Sequence, residues 1–333
     1  MGGGRRRERV MSPVLHVDDL KVTIGGNPVV DGVSFDVNEG EIVSIVGESG
    51  CGKSMTAFAV MDLLPKAARL AGGRIMLGDT DLRALSEAQR RNLRGNHLAM
   101  IFQEPVASLN PLMPIGRQIA ESLIVHRKTQ GRDPRLAAIA MLEEVGIPEP
   151  EIRAGQYPFE LSGGMCQRAM IAMSLICRPR LLIADEPTTA LDVTIQAQIL
   201  DLMKRLRDET GAAILLITHD MGVVADMADR VAVMYAGRVI EQAPVDDIFA
   251  RQEHPYTRLL LSTIPRLDGR PKVTLPSIEG MVPDIGQWPV GCRFNPRCPL
   301  ADQPCIEAQP ALAPRRDTGF AACWHSDRVE TML

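Results

Sequence analysis

Gly47-Glu48-Ser49-Gly50-Cys51-Gly52-Lys53-Ser54 fits the pattern G-x-x-x-x-G-K-S and directly follows an apolar run at residues 42–46. A strand that runs into a glycine-rich turn and then a helix is built to hold phosphate. The glycines let backbone N–H groups curl around phosphate oxygens. The helix that follows adds its positive N-terminal end. In this pattern Lys53 reaches the β- and γ-phosphates and the Ser54 hydroxyl meets Mg²⁺. Gly47, Ser49, Gly50 and Gly52 are the candidate backbone contacts. The competing reading, a glycine-rich turn with a chance Lys-Ser, does not account for the strand before it.

Two further stretches carry chemistry. Residues 181–184 form an apolar run that ends in Asp185-Glu186. Carboxylates at the C-terminal end of a parallel strand stand where open α/β sheets bind ligands. Asp185 is placed to hold Mg²⁺ through water, and Glu186 to orient or deprotonate the attacking water. Taken alone, an acid after a strand also reads as the cap of the next helix. The other stretch is Leu161-Ser162-Gly163-Gly164-Met165-Cys166-Gln167-Arg168, ahead of an apolar helical run at 169–177. Ser162 reads as its N-cap, and the glycines expose backbone donors.

These residues need a parallel sheet to position them. Residues 42–46, 181–184 and 213–218 are short apolar runs of the kind found in buried parallel strands. Between the last two, Ile195, Ile199, Met203 and Leu206 recur at helical spacing, and Gly211 marks the helix end. That is a βαβ unit. Residues 14–24 and 33–37 alternate apolar and polar, as half-exposed antiparallel strands do. Residues 231–235 and 238–241 flank Ala236-Gly237 as a hairpin. The expected class is therefore α/β: a parallel-sheet ATPase core with an antiparallel β subdomain. A helical subdomain is inserted at about 105–178. A tail covers 1–12, the nucleotide-binding domain 13–250, and a Pro- and Cys-rich module 251–333, with Met11 an alternative start.

Composition excludes some classes. Among 333 residues the net charge is −4, which argues against nucleic acid as the main partner. No run reaches the ~18 apolar residues of a membrane span, and residues 1–10 have no apolar h-region behind them. Of seven cysteines, Cys292, Cys298, Cys305 and Cys323 cluster as C-x5-C-x6-C-x17-C. Four thiolates at this spacing can bind Zn²⁺ or an iron–sulfur cluster, or remain free thiols in a small core. The gaps are wider than in zinc fingers and match neither common ferredoxin pattern.

The ordered set of motifs resembles the ABC ATPase family: the phosphate loop (Walker A) at 47–54, Gln103 after Ile101-Phe102, and the signature at 161–167. Asp185-Glu186, Ala190-Leu191-Asp192 and His219 after a strand complete it. The resemblance covers about residues 14–250. It implies two cassettes packed head to tail with two ATPs between them. Ser162, Gly163, Gly164 and Gln167 of one cassette would then face the nucleotide held by the other. It further implies that Gln103 touches Mg²⁺ or water and relays the change to membrane subunits, that His219 contacts the γ-phosphate, and that Asp192 belongs to the nucleotide site. The family's stacking aromatic at the end of the first strand is replaced here, by register, with Ile24.

A narrower similarity is to the ATP-binding subunits of dipeptide/oligopeptide (and nickel) importers. It rests on Phe102-Gln103-Glu104-Pro105, Ser108-Leu109-Asn110-Pro111, residues 254–260 (HPYTRLL) and Gly291-Cys292-Arg293-Phe294. It implies a [4Fe-4S] cluster on Cys292, Cys298, Cys305 and Cys323, with Zn²⁺ as the alternative. The implied partners are a second, related ATPase, two integral-membrane permeases and a substrate-binding protein, at the cytoplasmic face of the membrane. Nickel chelates, glutathione or another small solute are alternative cargoes. A non-transport ABC ATPase would be expected to carry two cassettes or a long coiled-coil insertion, and neither is present. A metal or redox protein merely regulated by its cassette would keep its activity without Glu186.

Overall fold

The computed structural model describes residues 13–129, 131–189, 191–264, 277–315 and 318–332. The tail at 1–12 with Met11, and Ala190, lie outside the described residues. The chain opens with β1 (Leu15–Ile24) and β2 (Asn27–Val37), then β3 (Ile42–Val46), α1 (Lys53–Met61), β4 (Ala68–Leu77) and β5 (Thr80–Asp81). Next come α2 (Glu87–Leu93) and β6 (Leu98–Ile101). Helices α3 (Pro105–Ser108), α4 (Ile115–Val125), α5 (Pro134–Glu144), α6 (Pro150–Arg153) and α7 (Gly163–Leu175) precede β7 (Leu181–Asp185). Then α8 (Val193–Thr210), β8 (Ala213–Ile217), α9 (Met221–Met227), β9 (Arg230–Tyr235), β10 (Arg238–Pro244) and α10 (Val245–Ala250) follow. Last are α11 (Pro255–Ser262), α12 (Gln303–Glu307), β11 (Ala313–Arg315) and β12 (Gly319–Ala321).

Two sheets form. One is antiparallel, in the order β2-β1-β4-β5; the other has the order β11-β12-β10-β9-β3-β8-β7-β6. In the second, β9, β3, β8, β7 and β6 run parallel. The reason is visible in the residues: every position of β3, β7 and β8 is buried, so these strands need cover on both faces. The expected βαβ unit is β7-α8-β8. Asp192 Oδ1 accepts from Ile195 N–H at 3.0 Å to start α8, and Gly211 at φ 69° ends it. The expected hairpin at Ala236-Gly237 joins β9 and β10 with both turn residues at positive φ.

Strands β4 and β6 were not legible in the sequence. Glycines and arginines interrupt β4, and β6 is four buried residues that periodicity cannot tell from helix. Pairing settles both: β6 against β7, and β4 along β1. The C-terminal strands join the same framework. β12 pairs with β10 through Glu241↔Ala321 and Gln242↔Phe320, extending the large sheet by two antiparallel strands. One hydrophobic core fills the space between the two sheets, and a second lies beneath α4, α5, α7 and α8.

Glu241 stands buried on β10, where its carboxylate accepts the backbone N–H groups of Glu253 and His254 at 2.6 and 3.0 Å. Burial raises its pKa from 4.5 to about 7. The folded state therefore holds a proton that the unfolded state has lost. This group's contribution is complete below about pH 4.5 and is lost as pH rises through about 7. Glu241→Gln should match the parent near pH 4.5 and exceed it above pH 8 by up to about 3 kcal/mol in chemical denaturation. An unchanged difference across that range would refute the assignment.

Candidate functional site

The phosphate loop leaves β3 at its C-terminal end and turns into α1. Gly47 has φ 149°, and a side chain there would meet Met234 O at 2.3 Å, so the loop can close onto β9 only with glycine. Lys53 is buried and its Nζ donates to Gly47 O at 2.7 Å and Glu48 O at 3.0 Å. The ammonium is thereby parked inside the loop that it would share with phosphate. Ser54 Oγ donates to Asp185 Oδ1 at 3.1 Å, across 131 residues of sequence. Burial raises the Asp185 carboxyl, against the Ser54 hydrogen bond, and the neighbouring Glu186 charge raises it further. A divalent cation beside this hydroxyl–carboxylate pair would offset that cost, so the donor set fits Mg²⁺.

Glu186 is the convergence point. Its φ is +49°, uncommon for a residue with a side chain, and its N–H donates to Ile217 O at 2.8 Å. That turn aims the carboxylate across the strand ends. Oε2 accepts from Gln103 Nε2 and from Thr189 Oγ1, both at 3.1 Å, and Oε1 lies 3.0 Å from His219 Nδ1. The His219 contact requires its proton on Nδ1 when Glu186 is ionised. Burial pushes the Glu186 carboxyl up, but His219, Thr189 and Lys53 together hold it below the usual glutamate value. Ser49, Gly50, Gly52, Lys53, Ser54, Gln103, Glu186 and His219 line one cleft of about 630 Å³, with Ile24 and Val29 at its apolar end.

The signature lies elsewhere. Ser162 caps α7, accepting from Met165 N–H at 3.3 Å, and Ser162 and Gly163 are exposed. Gln167 is buried and donates to Pro187 O, tying α7 to the turn after Glu186. Gly164 packs toward Leu191, and Asp192 acts as the cap of α8. Ser162, Gly163, Gly164 and Asp192 do not line the cleft of their own chain.

The chain matches the profile of the family described as "ABC transporter" over residues 30–189 and that of "Oligopeptide/dipeptide transporter, C-terminal region" over residues 240–305. The probable peptide ABC transporter ATP-binding protein y4tR of Sinorhizobium fredii is 51% identical over 322 residues, covering 95% of this chain and 96% of the relative. This chain belongs to the ABC transporter ATP-binding proteins. The dipeptide transport ATP-binding protein DppD of Bacillus subtilis is 48% identical, covering 96% of each. A dimeric ATP-binding cassette in a post-hydrolysis state, bound to ADP and Pi, superposes with TM-score 0.63 at 26% identity, covering 69% of this chain and 98% of that one. A cassette from Clostridium perfringens, part of an ABC transporter complex, superposes with TM-score 0.61 at 27% identity, covering 72% and 91%. As an ABC ATP-binding subunit the chain is an ATPase.

The four clustered cysteines meet around one enclosed cavity, with His254, Phe294 and His325 also on its wall. Gly291 permits this: a side chain there would lie 2.2 Å from Cys305 O, which accepts the Cys292 N–H at 2.8 Å. Burial, then the charge of the other thiols, pushes Cys298 up to about 11 and Cys323 up to about 12. Four thiols so placed resist ionisation unless a cation shares the cavity, so they fit a thiolate-bound metal centre. Among the described residues, the three or more metal-capable atoms within 4.8 Å of one another are those of Asp302, Cys305 and His325, not of three cysteines.

Sequence reasoning missed how the C-terminal stretch grips the phosphate loop. Arg297 Nη1 and Nη2 donate to the two Glu48 carboxylate oxygens at 2.8 and 3.0 Å. Glu48 N–H donates to Tyr256 Oη at 2.9 Å. Tyr235, Tyr256 and Phe294 pack ring against ring beneath, with centroids 4.8–5.4 Å apart. Arg297, the residue before a clustered cysteine, was the one available signal. Arg297→Ala should lower unfolding free energy by about 2 kcal/mol, because it strands a half-buried carboxylate, and should weaken ATP binding. Arg297→Lys should recover only part, lacking the two-pronged donor. Denaturation and nucleotide titration check this; an alanine variant with unchanged ATP affinity would break the link.

Proposed function

We propose that this chain energises import of di- or oligopeptides by ATP-dependent closure, and hydrolysis-driven opening, of a head-to-tail pair of cassettes. The observation that carries the reading is the split site. Lys53, Ser54, Gln103, Glu186 and His219 line one cleft, with Asp185 hydrogen-bonded to Ser54 behind it, while Ser162, Gly163 and Gly164 of the signature do not line it. A second cassette presenting Ser162–Gly164 completes the site, its helix N-terminus offsetting triphosphate charge. Glu186 orients the attacking water and takes its proton. His219 holds that carboxylate and reaches toward the γ-phosphate. Gln103 senses the reaction and leads directly into α3. Mg²⁺ held at Ser54 and Asp185 would neutralise the β- and γ-phosphate oxygens.

Peptide cargo is supported by relatives at about half identity that are named for peptide or dipeptide transport. Among the described residues no helix is long and apolar enough to cross a membrane. The assembly we propose adds a related ATPase, two permeases and a substrate-binding protein, with this chain at the cytoplasmic face. Cys292, Cys298, Cys305 and Cys323 hold a [4Fe-4S] cluster in this reading. The reading is supported by the four cysteines lining one cavity. Such a group supplies a covalent staple to a segment with little core of its own. The test is ATP hydrolysis by the reconstituted complex with its binding protein, empty or loaded with peptide. Stimulation by loaded protein is expected; stimulation only by a nickel chelate or another solute would replace the cargo assignment.

A further inference from the structure

The apolar end of the nucleotide cleft is not closed by the cassette alone. Ile285, from the C-terminal stretch, lines the same cleft as Ile24 and the phosphate loop, and none of the lining residues is Phe, Tyr or Trp. Ile285 occupies the second position of a tight turn in which Gln287 N–H donates to Asp284 O at 3.0 Å. Gly286 supplies the positive φ, +85°, that the third position of such a turn requires. The turn rests on the β1–β2 hairpin, where the Gly286 backbone approaches the Asn27 side chain so closely that a Cβ would stand 3.2 Å from it. Asn27 is three residues beyond Ile24.

The turn is also bolted from behind. The Trp288 ring lies against Gly237, whose N–H donates to Cys51 O in the phosphate loop at 3.0 Å. The Arg293 guanidinium stacks 3.6 Å from the centroid of that ring and donates to Ala236 O at 2.6 Å and to Asp31. Ile285 is 46% exposed despite this fixed backbone, which leaves its side chain free to meet a ligand.

We propose that Ile285 is a base-contacting residue, and that the C-terminal stretch supplies the second face of the adenine site, holding the purine between the Ile24 and Ile285 side chains. A purine is flat and apolar on both faces, so one aliphatic wall leaves half of its stacking surface in water. The inference rests on the nucleotide reading of the cleft and adds a residue to it.

The experiment compares Mg²⁺–ATP with Mg²⁺–tripolyphosphate, which lacks base and sugar, by calorimetric titration of the full-length chain. Ile285→Ala should raise the Kd for ATP about threefold to tenfold and leave that for tripolyphosphate within about twofold. Ile285→Phe should tighten ATP alone, because an aromatic ring offers more stacking area. ATP affinity unchanged in Ile285→Ala, or an equal loss for both ligands, would overturn the inference. A wild-type chain that binds neither ligand would instead overturn the nucleotide reading.

Discussion

In Glu186→Gln, ATP turnover by the assembled transporter falls at least about 100-fold while ATP binding persists, because one proton acceptor is lost without disturbing the phosphate loop. The amide keeps an oxygen for Gln103 and Thr189, which contact the carboxylate at 3.1 Å each. What it lacks is the charge that orients and deprotonates water. When isolated cassettes are mixed, closed, ATP-bound pairs should therefore accumulate, visible as an ATP-dependent rise in apparent mass on gel filtration. His219→Ala should impair turnover less, since a single 3.0 Å contact joins it to Glu186, which itself stays in place. Near-normal phosphate release by the glutamine variant would remove Glu186 from the mechanism. Transport that survived it would disqualify the motor reading itself.

The cysteine site yields the largest expected effect on stability. Anaerobically purified Cys298→Ser should contain less than half the iron and sulfide of the parent and melt roughly 5–10 °C lower. The physical reason is that the thiols stand on separate turns: Cys292 beside Cys305, Cys298 after a single helical turn, and Cys323 just beyond β12. A shared metal centre would tie those turns together. Because Arg297 sits one residue before Cys298 and grips Glu48, loosening this region should also raise the Kd for ATP. Four-cysteine zinc without iron would replace the cluster. Neither metal, together with an unaltered melting point, would leave only packed thiols.

How much was legible follows from where each interaction lies along the chain. The phosphate loop, the acid pair after β7 and the capped signature are continuous runs. In each, the backbone conformation that does the chemistry needs particular residue types at adjacent positions, such as the glycines of the loop and Ser162 at the start of α7. Such runs can be read without knowing the fold. The βαβ order was legible for a related reason, since fully buried parallel strands leave unbroken apolar runs.

Long-range contacts leave no such local mark. Arg297 meets Glu48 across 249 residues, and Tyr256 meets the same loop across 208. Nothing in either neighbourhood encodes the other, because an ion pair or a hydrogen bond depends on where two chain segments arrive, and packing decides that. The same holds for β6, recognised only by pairing with β7, and for Ile285, which reaches the nucleotide cleft because Trp288 and Gly286 seat its turn on the hairpin. The amino-acid order alone marked each short run as a candidate site, with the residue types that phosphate loop, acid pair, signature cap and thiol set require. Only the folded chain decided which runs line one cleft and which lie outside it, since relative orientation is set by the two sheets and the cores beneath them.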